Sequence, residues 1–216
     1  RTINASAVIA FKVYSYEFTM MAGSKLTAIG GTGSGRVIMR SKKLNGTTVS
    51  AGSDYTTSVL EWNSSNNAVS VNNNGVYTAT SNCIESTSDG YISRLTSSTF
   101  ISAKLVVDGQ TFTPSAEVKY SITPSLLQIT YTPNTSSGDI RLVKGTTTYF
   151  TTWANFDGYT GTLKVDPSNT TMTISGSYSG ITVSDINDSM TLTSSAAMYG
   201  VCDLTITAYG ITTLHY

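Results

Sequence analysis

Apolar and polar residues alternate along almost the whole chain, and the apolar positions favour β-branched and aromatic side chains. Successive side chains of an extended strand point to opposite faces, so this rhythm supplies one face for a core and one for solvent. No stretch of a dozen residues carries a helical period, which predicts an all-β chain of antiparallel strands. Clear strands are predicted at Arg36–Met39, Ser58–Trp62, Ala103–Val107, Val118–Ile122, Leu127–Tyr131 and Leu204–Ala208. Two tight hairpins are predicted at Asn74-Gly75 and Asp108-Gly109, because both residue pairs tolerate positive φ.

A chain of 216 residues has room for one large β-sandwich or two small ones. The organisation read from the sequence is an N-terminal strand over residues 1–15 and a β-sandwich over 16–123. A second sandwich, or the second half of one large sandwich, follows over 124–216. The boundary is placed at Thr123-Pro124, with Thr132–Gly138 as the other candidate.

Charged residues make up only 12% of the chain, and 13 basic residues balance 13 acidic ones. Ser and Thr take over the polar surface, with 31 Ser and 36 Thr. No basic footprint exists for nucleic acid or an anionic membrane, so neither is expected as a partner. No apolar run approaches the roughly 20 residues of a spanning helix, and no direct membrane insertion is expected. The chain begins at Arg1 without a methionine, which fits removal of a leader and equally a boundary drawn for other reasons.

Cys83 and Cys202 would close one long-loop disulfide in an oxidising compartment; two buried thiols are the alternative. Glycosylation sequons begin at Asn4, Asn45, Asn63, Asn134, Asn169 and Asn187, most of them in Gly-, Ser- or Asn-rich stretches between strand-like runs. A glycan there would stay in solvent.

Catalytic and metal-binding patterns fail on their context. Gly30 and Gly35 have the separation of a phosphate-binding loop, but Arg36-Val37 stands where that loop needs Lys-Ser/Thr, and a strand follows instead of a helix. The reading is a flexible hairpin loop. His215, the single histidine, lies beside the C-terminus and leaves no material for a triad or a His-rich metal site. Asp185 with Asp188, and Asp157 with Asn155, lack calcium-loop spacing and read as turns. Trp62 and Trp153 read as core or half-buried sheet residues. No enzyme activity, cofactor or metal is expected.

The N-terminal segment is the most informative. Ile3, Ala5, Ala7, Ile9, Phe11 and Val13 fall on one face of an extended strand, while Thr2, Asn4, Ser6, Lys12 and Tyr14 lie on the other, interrupted by Val8 and Ala10. Such a strand needs a groove. It finds one as an ordinary first strand of its own domain, or by insertion into a neighbouring subunit.

Two resemblances bear on this. The segment from Pro124 onward, with Leu142-Val143-Lys144-Gly145-Thr146, Trp153 and Leu163, resembles bacterial Ig-like domains and implies an Ig-like β-sandwich. The run from Ile3 to Val13, the Ser/Thr/Asn-rich body, the sequons and the sparse charge together resemble subunits of donor-strand-linked surface pili, among them archaeal thread filaments. That second resemblance implies a cell-surface, extracellular filament: a homopolymer joined head to tail, with Ile3, Ala5, Ala7, Ile9, Phe11 and Val13 filling the next subunit's groove. Contact with other cells or surfaces would follow. The alternative is an Ig-like binding or adhesion module of a phage virion or a larger surface protein.

Overall fold

The computed structural model describes residues 11–132, 145, 147–175, 181–186, 189–194 and 203–215. In chain order the first strands are β1 (Tyr14–Met21), β2 (Thr32–Ser34), β3 (Arg36–Leu44), β4 (Thr47–Ser50), β5 (Ser53–Asp54), β6 (Glu61–Ser64), β7 (Val69–Val71) and β8 (Val76–Ala79). Then come β9 (Glu85–Ser86), β10 (Ile92–Arg94), β11 (Thr96–Val107), β12 (Gln110–Phe112) and β13 (Ser115–Ser121). The last are β14 (Leu126–Thr132), β15 (Thr147–Asn155), β16 (Leu163–Lys164), β17 (Thr170–Ser175), β18 (Ile181–Ile186), β19 (Ser189–Ser194), β20 (Asp203–Ala208) and β21 (Ile211–His215). The protein is all-β: the described residues hold no α-helix, only three single 3-10 turns, and the strands form several antiparallel sheets.

The chain divides into two compact units, each drawn from separated segments. The first takes Arg1–Ser24, Thr32–Thr78 and Ser98–Val118; the second takes Lys25–Gly31, Ala79–Ser97 and Lys119–Tyr216. The segment 16–123, read from the sequence as one sandwich, thus supplies residues to both units.

In the first unit, β1 pairs with β3, which also pairs with β4 and β5; β2 pairs with β8, and β8 with β7; β11 carries β12, β13 and β6. Val37 and Met39 from β3, Met20 from β1, Trp62 from β6, Tyr77 from β8, and Ile101, Ala103 and Leu105 from β11 are buried here. Within the segment 30–35, predicted as a flexible loop, Gly33 and Gly35 are packing elements. Gly33 lies within β2 with the Tyr77 ring so close that a Cβ would come within 2.4 Å of it. Gly35 and Gly75 both abut the Trp62 ring, and Gly35 N–H donates to Gly75 C=O at 2.8 Å. Large aromatics at the core need small residues opposite them, since interiors are close-packed.

In the second unit, the sheet β14-β15-β19-β18 and the sheet β17-β20-β21 share a core. Phe150 from β15 meets Met172 from β17 and Leu204 and Ile206 from β20, all buried, with Ile129, Tyr131 and Ile174 packed against them half-buried. Two sheets closing over alternating inward residues make a β-sandwich, the architecture predicted.

Both predicted hairpins exist, with one corrected. Asp108 (φ 47°) and Gly109 (φ 74°) form a two-residue turn with Val107 opposite Gln110. At Asn74-Gly75 the connection between β7 and β8 is longer. Asn72 Oδ1 accepts from Asn74 and Val76 N–H at 2.9 and 3.0 Å, and only Gly75 of the predicted pair has positive φ. Asn72 builds a side-chain turn inside the loop, so the pair does not close the hairpin alone. Two further two-residue hairpins were not predicted: Asn45-Gly46 between β3 and β4, and Tyr209-Gly210 between β20 and β21. The strand predicted at Ser58–Trp62 begins only at Glu61, because Thr56–Ser58 turns as a 3-10 helix organised by Asp54, whose Oδ1 accepts from Thr56 N–H and Oγ1–H.

Candidate functional site

The candidate site is the root of the N-terminal run, where the chain enters β1. Of the predicted interface residues, Ile3, Ala5, Ala7 and Ile9 lie outside the described residues, and Phe11 and Val13 lie within them. Among the described strands β1 has a single neighbour, β3, so it is the edge of its sheet. An edge leaves a row of main-chain donors and acceptors open to a further strand.

Alternation along β1 decides which way the run presents its side chains. Tyr14, Tyr16 and Phe18 are half-buried and Met20 is buried, whereas Ser15, Glu17 and Met21 are exposed. The one irregularity in the β1–β3 register falls on β3, where Ser41 and Met39 pair with Glu17 and Phe18 and Arg40 is the extra residue. β1 itself therefore keeps its period of two. By that period Phe11 and Val13 belong to the outer set, and they are 78% and 64% exposed. Phe11 and Val13, the described part of the predicted apolar face, thus fall outside the core-facing set of β1.

The inner side of β1 is well furnished. Phe18 packs on Phe112 of β12 with ring centroids 4.8 Å apart and edge-to-face on Tyr55 at 5.2 Å; Tyr16 meets Phe112 at 6.0 Å. Lys42 Nζ sits 4.4 Å from the Tyr14 ring centroid and 5.3 Å from that of Tyr16. The Tyr16 hydroxyl donates to Asp108 Oδ2, and that carboxylate beside it holds the hydroxyl above its usual range. The Lys42 ammonium is raised in turn, chiefly by its contact with Tyr16. Lys42 is not singled out by the sequence, and Asp108 is named there only as a turn residue. Lys42 lies opposite Tyr16 in the β1–β3 register, and Asp108 reaches the same tyrosine from the β11–β12 turn of a different sheet, so only the tertiary structure brings them together.

The sequons divide similarly. Asn45 occupies the β3–β4 turn, exposed; Asn63 lies in β6, exposed, with Nδ2 donating to Glu61 Oε1 at 3.0 Å; Asn169 ends the 3-10 turn Pro167–Asn169, also exposed. Asn4, Asn134 and Asn187 lie outside the described residues. Cys83 is buried, and burial pushes its thiol up to about 11; Cys202 lies outside the described residues. Among the described residues no three or more His, Cys, Asp or Glu side chains stand together as a metal site.

The site is thus an edge-strand root preceded by two exposed apolar residues, Phe11 and Val13, and what it offers is packing and main-chain pairing. No protein-family model and no curated protein matches the chain. Among solved structures it is similar to PcdhgB3 EC1-4, at 12% identity and a TM-score of 0.32, covering 93% of this chain and 49% of that one. It is also similar to domains 5-6 of the S-layer protein SbsC, at 15% identity and a TM-score of 0.27, covering 94% of this chain and 97% of that one. A larger SbsC structure, domains 4-9, matches at 16% identity and a TM-score of 0.26, over 96% of this chain and 31% of that one. The chain spans about half of the PcdhgB3 structure. The fold class rests on the strands themselves.

Proposed function

We propose that the chain is a structural subunit of an extracellular filament that polymerises head to tail, lending the run from Ile3 to Val13 to a neighbouring copy. One observation supports this reading: Phe11 and Val13, the described end of the apolar face, are exposed just ahead of the edge strand β1 and outside its core-facing set Tyr14, Tyr16, Phe18 and Met20. Extending β1 straight back would leave that face in water. Burying a large apolar side chain is worth about 1.5–3 kcal/mol, so the run gains by docking against a second surface. Strand addition supplies such a surface and satisfies the main chain at the same time.

The reading is structural and adhesive, with no catalytic step assigned. Its partner is a second copy of this chain. A low-charge, hydroxyl-rich surface and glycans on Asn45, Asn63 and Asn169 suit an exterior location.

The test compares the native chain with the double variant Ile9→Asp, Phe11→Asp by negative-stain microscopy and mass analysis. Fibres from the native chain and soluble subunits from the variant are expected. If both stay folded monomers, the run belongs to its own domain, and the binding-module reading replaces this one.

A further inference from the structure

β3 ends at Leu44, opposite Tyr14, yet the pairing with the N-terminal chain goes one residue further. Asn45 N–H donates to Val13 C=O at 3.0 Å, and Asn45 Oδ1 accepts from Val13 N–H at 3.2 Å. Asn45 has φ 49° and Gly46 φ 86°, the left-handed pair that closes the two-residue turn between Leu44 and Thr47. There the backbone of β3 has turned away, and the asparagine amide stands in for a carbonyl that a continuing strand would have offered. Asparagine meets both demands, since it tolerates the left-handed region and carries the acceptor; glycine meets only the first.

We propose that Asn45 is a positioning residue that latches Val13 and so fixes the point and direction at which the N-terminal run leaves the sheet. The inference rests on the reading of that run as a donated strand. A fixed departure point turns Phe11 and Val13 away from their own core and reduces the conformational freedom lost on docking, which is how preorganisation raises affinity. The latch uses Oδ1 alone. N-glycosylation of the Asn45-Gly46-Thr47 sequon would use Nδ2, so latch and glycan are chemically compatible.

Two full-chain variants separate the side chain from the turn. Asn45→Gly keeps the positive φ and removes the acceptor, and Asn45→Asp keeps an acceptor oxygen. Amide hydrogen exchange by NMR, below the concentration at which the native chain assembles, reads the latch directly. Exchange at Val13 is expected to be about five- to tenfold faster in Asn45→Gly, the effect of losing one hydrogen bond, and near native in Asn45→Asp. The interior of the β1–β3 ladder should be unchanged in both. Native protection of Val13 in Asn45→Gly overturns the latch. Slower fibre growth by Asn45→Gly than by Asn45→Asp is expected; equal growth with the Val13 amide released overturns its role in assembly. A native chain that forms no fibres overturns strand donation, and exchange at Val13 alone then decides the latch.

Discussion

At the scale of single residues, the glycines show how much a small side chain can carry. Gly33 has no left-handed φ to explain it; it is fixed by the Tyr77 ring, itself fully buried. Gly33→Ala is expected to lower stability by about 1–3 kcal/mol, the usual cost of overpacking, measured as a shift in the urea midpoint. The two tryptophans make a related point. Trp62 is buried between Gly35 and Gly75, whereas Trp153 is on the solvent side of β15, where its Nε1–H donates to Thr130 Oγ1 at 3.0 Å and Lys164 Nζ lies 5.7 Å from its ring. Nothing in their alternating sequence contexts separates them. In β15 the buried set is Thr148, Phe150, Thr152 and Ala154, while Tyr149 is 47% exposed. Hydropathy does not mark that set as the core face, because two of its members are threonines and the opposite face holds Tyr149 and Trp153.

For whole elements, strands were the most legible feature, since a period of two is a direct consequence of extended geometry. β3, β11, β13, β14 and β20 lie where alternation placed them. Turns were legible only where two-residue chemistry acts alone. Asp108-Gly109 does so; Asn74-Gly75 was lengthened by the side chain of Asn72, and Tyr209-Gly210 puts a bulky residue at φ 51°, which residue type does not foretell. Elements also carry the core. Phe150 stands where the sheets of the second unit meet, so Phe150→Ala is expected to cost about 3–5 kcal/mol, read from thermal or urea unfolding. Thr151→Ala, on the other face of β15, should change stability by less than about 0.5 kcal/mol.

Over the whole molecule, sparse charge sets the response to acid. The Thr56 hydroxyl, the Arg36 guanidinium and the Thr56 N–H hold Asp54 down to about 2, and the Ser168 hydroxyl and N–H hold Asp166 below the usual range. Both acids bind protons less readily folded than unfolded. Their contribution is therefore complete above pH ~4 and is lost as pH falls from there toward 2. The Arg36–Asp54 pair is exposed, at 61% and 42%, so solvent screens it and the loss is small. Thermal melts should be nearly flat from pH 7 to 4 and decline gently below; a steep loss already between pH 7 and 4 would contradict this account. The sequence by itself determined the all-β class and the places of β3, β11, β13, β14 and β20, because these follow from local alternation and composition. The tertiary structure alone decided which face of β15 is buried and that separated segments share a unit. It also decided that Val13 is held by Asn45 and that Phe11 and Val13 point away from their own core. Those facts depend on register between strands distant in sequence, and a period of two fixes only that faces alternate, not which face meets which partner.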